Sequence, residues 1–129
     1  MSRREPSPRR QTRGGRSRRE GRAAEWLAAV FLMAKGYRIL GFRLKGHQGE
    51  IDLLVLKGRT LAVVEVKRRA TLEAALVALS PEQQARMRAA GQALARGRPS
   101  LSGFELRLDM VALAPGRFPR HVRGLTSRQ

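Results

Sequence analysis

The chain has no cysteine, only two histidines, and few aromatic residues: one Trp, one Tyr and four Phe. The absence of cysteine excludes disulfides, a thiol nucleophile and a cysteine-ligated zinc site. His47 and His121 lie far apart in the sequence, which disfavours a histidine-rich metal site. With so few aromatic rings, the sequence does not support a base-stacking platform of the kind that binds single-stranded nucleic acid.

Long apolar runs are also missing. The apolar run at residues 27–34 is far shorter than a membrane span. The basic N-terminus is not followed by an apolar segment, so we predict no secretory signal. These two absences predict a cytoplasmic protein without a membrane partner.

Acidic residues are scarce, since 10 Asp and Glu stand against 27 Lys and Arg, giving a formal net charge of +17. A charge this large predicts a polyanionic partner, most simply nucleic acid, either DNA or RNA. An arginine preference imposed by a GC-rich genome is a partial alternative explanation. The oligomeric state stays open.

Composition divides the 129 residues into three parts. Residues 1–20 have no apolar residue after Met1 and predict a disordered Arg-rich tail. Residues 21–113 carry the periodicity of one folded domain, and residues 114–129 predict a basic C-terminal tail. We predict an α/β domain with a small mixed sheet flanked by helices, in the order α-β-β-β-α-β, with residues 68–79 left open between helix and loop.

Local signals set the helix boundaries. The first helix should run from Arg22 to Lys35, with Gly36 as a left-handed cap. A second helix should begin after Ser80, because Gln83 completes a capping box with it. The buried stripe of the first helix is predicted to contain Ala24, Leu27, Ala28 and Phe31.

Two apolar segments, residues 53–56 and 61–64, predict a β-hairpin with a tight turn at Gly58. In that register Lys57 pairs with Thr60. The same register, extended beyond the apolar segments, places Asp52 opposite Glu65 and Glu50 opposite Lys67. By strand alternation, all four charged side chains should share one face of the sheet.

Two carboxylates directly opposite each other destabilise a sheet. A chain with few acidic residues gains nothing from placing Asp52 and Glu65 together unless something binds them. A divalent cation turns the repulsion into coordination, because hard cations bind clustered carboxylate oxygens. The alternative is a carboxylate pair neutralised by Lys67 and nearby Arg, with Lys67 also forming an ion pair with Glu50.

This pattern resembles the catalytic motif of PD-(D/E)xK nucleases, in which an Asp precedes Glu-x-Lys on the next strand. The sequence is most similar to the YraN-like family of uncharacterised small proteins, over roughly residues 21–113. Four segments in order carry the resemblance: Gly21 to Glu25, Gly49 to Leu53, Val64 to Arg69, and Arg107 to Val111. The resemblance implies a restriction-endonuclease-like core and Mg²⁺- or Mn²⁺-dependent hydrolysis of nucleic-acid phosphodiesters.

The resemblance also implies roles for single residues. Asp52 and Glu65 would bind the metal, and Lys67 would hold a water or stabilise charge on the phosphate. Glu25 would be a further metal ligand, with an exposed surface charge as the alternative. Glu50 would be a third ligand or would orient Lys67.

Other positions are less decided. Gln84 matches the family pattern in the second helix, whereas Gln83 replaces a cation there and has a capping role. Asp109 matches the family too, and is either a surface charge or the partner of Arg107. Basic residues flanking the site are candidates for phosphate contacts, namely Arg43, Lys45, Arg68 and Arg69. A module that binds nucleic acid without turnover remains the alternative to an enzyme.

Overall fold

A computed structural model describes the backbone of residues 8–125 and the side chains of residues 21–125. Its elements are α1 (Pro8–Ala34), β1 (Arg38–Gly46), β2 (Gly49–Lys57), β3 (Thr60–Arg68), α2 (Leu72–Leu76), α3 (Pro81–Arg96), β4 (Glu105–Leu113) and β5 (Arg120–Val122). The five strands form one sheet in sequential order, with β3 and β4 parallel and the other neighbours antiparallel. The predicted mixed α/β sheet with flanking helices is confirmed, and it is consistent with a small restriction-endonuclease-like fold.

Helix α1 begins earlier than predicted, at Pro8 rather than Arg22. Arg and Gln are good helix formers, and lengthening an existing helix is easier than starting one. The helical backbone of residues 8–20 differs from the predicted disorder of residues 1–20. Residues 1–7 and 126–129, which belong to the two predicted tails, lie outside the described residues.

The two long helices cover opposite faces of the sheet. Helix α1 packs on residues of β2, β3 and β4 through the small side chains of Ala24, Ala28 and Ala29 together with Leu32. The prediction of a buried Leu27 is wrong, since that side chain is 53% exposed. Alanines let the helix lie close to the sheet, so its neighbouring larger residues face outward. None of the described helices is long and apolar enough to cross a membrane.

Helix α3 lies on the other face, and its start is the predicted one. Ser80 Oγ accepts the Gln83 backbone N–H, and Gln83 Oε1 accepts the Ser80 N–H, both at 3.1 Å. Gly91 allows close packing of α3 on β3, because a Cβ there would lie 2.7 Å from Val63 Cγ2. This close contact holds the C-terminal half of α3 against β3 and β4.

The remaining elements close the fold. Residues 68–79, for which the sequence left helix and loop open, contain the short helix α2. This helix is capped by the Thr71 hydroxyl and packs on Ala112 of β4. Strand β5 lies within the segment predicted as a basic tail, and it pairs with β4 from Met110 to Ala112. The predicted element order therefore omits β5, and it leaves the segment of α2 undecided between helix and loop.

Candidate active site

The candidate site lies where β2 and β3 separate. The hairpin ladder runs from Lys57–Thr60 to Leu53–Val64, which confirms the predicted register. Beyond Leu53, β2 continues along β1, and beyond Val64, β3 continues along β4. The predicted pairing of the next residues is therefore absent from the described ladder, and a fork opens between the two strands.

Asp52 occupies this fork. Its Oδ2 accepts the backbone N–H of Val66 at 2.9 Å, which replaces the ladder bond that a continued hairpin would make. The carboxylate is thus fixed to the opposite strand by its own side chain. This geometry holds Asp52 next to Glu65 although the two residues are not ladder partners.

Strand alternation also breaks at Asp52. Leu53 packs in the cluster under α1, whereas Ile51 packs in the cluster under α3. The adjacent strand changes face at the same level, between Phe42 and Leu44, where Arg43 adopts a left-handed φ of 48°. Simple strand alternation was predicted to place the side chains of Glu50 and Asp52 on the same face of the sheet. That prediction is wrong, because both strands change the face to which their side chains point at this level.

Two clefts open from the fork, one on each side, and Asp52 lines both. The cleft beside α1 has a volume of about 410 Å³ and is lined by Gly21, Ala24, Glu25, Asp52, Val66, Arg68 and Arg69. The cleft beside α3 has a volume of about 210 Å³ and is lined by Gly49, Glu50, Asp52, Glu65, Gln83, Arg86 and Met87. The structure thus brings the predicted Glu50, Asp52 and Glu65 around one cavity and Glu25 around the adjoining one.

Lys67 lies beside Glu65 rather than Glu50. Its Nζ is 3.2 Å from Glu65 Oε2, and both side chains are largely buried, with 12% and 17% of their surface exposed. No ion pair joins Lys67 to Glu50 among the described residues, so that predicted pairing is wrong. Neighbouring positions on the same side of β3 bring the ammonium to the carboxylate without help from β2.

Glu25 on α1 is held by Arg43, whose guanidinium Nη1 donates to Glu25 Oε1. Arg43, predicted to contact phosphate, thus has a partner within the protein. Lys45, Arg68 and Arg69 are exposed, and the two arginines line the cleft beside α1.

The electrostatics of the fork favour added positive charge. The pKa of Asp52 is raised from 3.8 to about 7, first by burial and then by the neighbouring carboxylates Glu65, Glu25 and Glu50, and the Val66 hydrogen bond offsets only part of this rise. Burial also raises the pKa of Glu65, which Lys67 partly offsets. A cation bound here would relieve both the lost hydration and the repulsion.

Gln84 of α3 carries a polar atom without a partner. It lies on the buried stripe of α3 together with Met87 and Gly91, and its Oε1 is buried without a hydrogen-bond partner among the described residues. A buried polar atom without a partner is costly and indicates an absent water, ion or ligand. Gln83 faces the cleft beside Asp52, but its own Oε1 is used in the helix cap.

The donor set fits a hard divalent cation in type. Among the described residues, no group of three or more His, Cys, Asp or Glu side chains lies close enough to hold a metal as it stands. Mg²⁺, however, commonly takes one or two carboxylates and completes its shell with waters and substrate phosphates. Asp52 and Glu65 can provide those carboxylates, with Glu25 across the adjoining cleft.

Asp109 belongs to a different part of the molecule. It is fully buried and accepts two hydrogen bonds from Arg107, at 2.8 Å each, which confirms the predicted partnership and excludes a surface charge. His121 of β5 and the Gly124 N–H complete its shell, at 2.9 and 3.1 Å. The role of His121 was not predicted, because no local pattern connects it to Asp109.

Arg86 is the site residue that sequence reasoning missed. It lines the cleft with Asp52 and Glu65. A signal exists in the sequence, since Gln83, Arg86 and Met87 are spaced i, i+3, i+4 and so share one helix face.

Similar proteins carry the same domain. The model of the uncharacterised protein family UPF0102 matches residues 24–113, a range that includes every acidic residue around the fork. A UPF0102 protein from Caulobacter vibrioides is 57% identical over 113 residues, covering 88% of this chain and 90% of the relative. Another from Methylorubrum extorquens is 47% identical over 118 residues, with coverage of 92% and 89%.

Proposed function

The chain belongs to the uncharacterised protein family UPF0102, and we propose that it is a metal-dependent nuclease that hydrolyses nucleic-acid phosphodiester bonds. The observation that carries this proposal is the meeting of Asp52, Glu65 and Lys67 where two strands separate. Buried carboxylates with raised pKa values beside a buried ammonium are typical of functional sites rather than of surface charge.

Each group has a task in phosphodiester hydrolysis. The reaction needs a positioned nucleophile and neutralisation of the charge that develops on the phosphate oxygens. Mg²⁺ or Mn²⁺ bound by Asp52 and Glu65 would supply Lewis-acid stabilisation and an acidified water. Lys67, kept beside Glu65, stabilises negative charge on the phosphate as a compact ammonium.

Basic residues on both sides of the fork support a nucleic-acid substrate. Arg68 and Arg69 line the cleft beside α1, and Arg86 lines the cleft beside α3. A strand that crosses the fork at Asp52 would place neighbouring phosphates near arginines on either side. Such contacts give affinity without reading sequence, in agreement with the net charge of +17.

A second candidate is a nucleic-acid-binding module that retains the fold without turnover. It is favoured by the absence, within the described residues, of a preformed group of three metal-binding side chains. This candidate leaves the repulsion between Asp52 and Glu65 without a purpose.

Single-turnover cleavage at saturating protein tests the proposal. The substrates are single-stranded, duplex and branched DNA and RNA, each with Mg²⁺ or Mn²⁺. Lys67→Ala should reduce cleavage by about 10²-fold or more, the usual loss of one preorganised electrostatic group, while nucleic-acid binding persists. Lys57→Ala is the matched control, because it removes the same charge at the opposite end of β2, where Nζ donates to the Lys35 carbonyl and lies over the Tyr37 ring, away from the fork.

The outcomes separate the two candidates. If the wild type binds the substrates tightly and cleaves none, the binding module replaces the nuclease. If the wild type cleaves and Lys67→Ala cleaves equally fast, the nuclease stands and the role assigned to Lys67 is wrong. Lys67→Arg should restore part of the rate only, because a broad guanidinium does not substitute for a compact ammonium.

A further inference from the structure

A third cleft lies beside the fork and has no part in the chemistry above. Its volume is about 250 Å³. One wall comes from the sheet and the other from α3, and the tip of the β1–β2 hairpin, residues 46–49, also lines the cleft. The two walls are apolar and face each other, with Leu44 and Ile51 opposite Ala90, Ala93 and Leu94.

The cleft is continuous with the candidate site. Gly49 borders both this cleft and the one that contains Asp52 and Glu65. Arg86 stands at the boundary, since its Cβ lies 3.9 Å from the position a Cβ would take on Gly49. A ligand whose anionic group lies beside Arg86 and whose second group enters the third cleft would occupy both cavities.

The shape and lining restrict that second group. Two apolar walls favour a flat ring with apolar faces, and the rim supplies hydrogen-bonding groups from His47, Gln48 and Lys45. The volume is below the about 300–1,000 Å³ of pockets that hold drug-sized ligands, so one ring system fits better than a peptide segment. A nucleobase has these properties, with apolar faces, polar edges and a phosphate one sugar away.

We propose that this cleft binds one unpaired nucleobase next to the phosphate at Asp52 and Glu65. The proposal rests on the nuclease function above and adds the substrate class: nucleic acid with an extrahelical or single-stranded nucleotide at the reaction site. A paired base must leave its stack to enter the cleft, and this costs least where the base is already unpaired. One slot for one base also agrees with a chain that has few aromatic rings for stacking.

Binding without divalent metal tests the cleft separately from catalysis. Fluorescence anisotropy in EDTA compares a duplex with one bulged nucleotide, the same duplex with an abasic bulge, and the fully paired duplex. The wild type should bind the base-containing bulge about tenfold tighter than the abasic bulge, because the two differ only in the base. Ala93→Leu should fill the cleft and remove that preference, whereas Ala85→Leu, exposed on the same helix and outside the cleft, should keep it.

A second readout needs no variant. With 2-aminopurine as the bulged base, its fluorescence should change on binding, since the base moves between two protein walls. Equal affinity of the wild type for base-containing and abasic bulges would overturn the cleft proposal while leaving the nuclease intact. A retained base preference in a protein that cleaves nothing would contradict the nuclease and leave the cleft standing.

Discussion

Two aspartates in the same sheet have opposite electrostatic environments. Asp109 on β4 is fully buried, yet hydrogen bonds from His121 and Arg107 outweigh the effect of burial and lower its pKa to about 2. Asp52 on β2 is less buried, yet burial and nearby carboxylates raise its pKa to about 7. Partners, rather than depth, decide which carboxylate is stable as an anion.

The difference separates a carboxylate whose partners lie within the protein from one that we propose to be functional. Around Asp109, donors from β4, β5 and the following loop converge, and Arg107 also donates to the Tyr37 hydroxyl at 2.7 Å. Around Asp52, one backbone N–H is the only hydrogen-bond donor found within the described residues. The first arrangement is complete within the protein, and we propose that a bound cation completes the second.

Removing the carboxylate of Asp109 should cause the largest change. Asp109→Ala leaves Arg107, His121 and the Gly124 N–H without their common acceptor, and breaking a buried ion pair of this kind costs about 3–5 kcal/mol. Urea unfolding measures the loss. Glu105→Ala is the control, because this exposed carboxylate on the same strand should matter by less than about 0.5 kcal/mol.

A loss below about 1 kcal/mol for Asp109→Ala would remove the distinction between the two sites. It would mean that the hydrogen-bond network around Asp109 contributes little net stability to the fold. The sheet would then tolerate a buried carboxylate that has no function.

Sequence patterns predicted the parts of this comparison that are local. The capping box at Ser80 and the hairpin register are confirmed, because each depends on residues close together in the chain. The shell of Asp109 was not predictable, since His121 is 12 residues away and Tyr37 joins through a contact spanning 70 residues. Burial of a charge is a property of tertiary packing.

The sequence predicts which residues meet at the candidate site but not the separation of strands that forms it. Residue types and the hairpin register are enough to bring Asp52 near Glu65. The fork itself depends on which neighbour each strand follows, β1 in one case and β4 in the other, and no pattern within the hairpin specifies that choice. The metal assignment stays a prediction.

Neutralising Asp52 should increase the free energy of unfolding, by less than Asp109→Ala decreases it. Asp52→Asn keeps a side-chain oxygen that can accept the Val66 N–H. It removes the carboxyl group, whose pKa is raised from 3.8 to about 7. One pKa unit is worth about 1.4 kcal/mol, and partial solvent contact reduces the effect, so we expect a gain of about 1–2 kcal/mol at pH 8 without divalent metal.

The gain should depend on pH in a defined window. Between pH 4 and 7 the folded protein retains a proton on Asp52 that the unfolded chain has released, so wild-type stability falls as the pH rises through this range. The difference between Asp52→Asn and the wild type should therefore vanish near pH 4 and be complete above pH 7. Urea unfolding across this range measures it, and a destabilised Asp52→Asn at pH 8 would show that the Val66 hydrogen bond outweighs the repulsion.

The smallest expected effect is stabilisation by metal. At a free Mn²⁺ concentration about tenfold above its dissociation constant, the folded wild type should gain about 1.4 kcal/mol, which is a rise of several degrees in Tm. Asp52→Asn should show no such rise, because a carboxylate ligand is lost, and Glu73→Gln on α2 should respond like the wild type, since that carboxylate is exposed and outside both clefts. Isothermal calorimetry on the same three proteins provides a readout independent of cleavage. Equal Mn²⁺ binding by Asp52→Asn and wild type would place the metal elsewhere in the protein and overturn the role of Asp52 as its ligand.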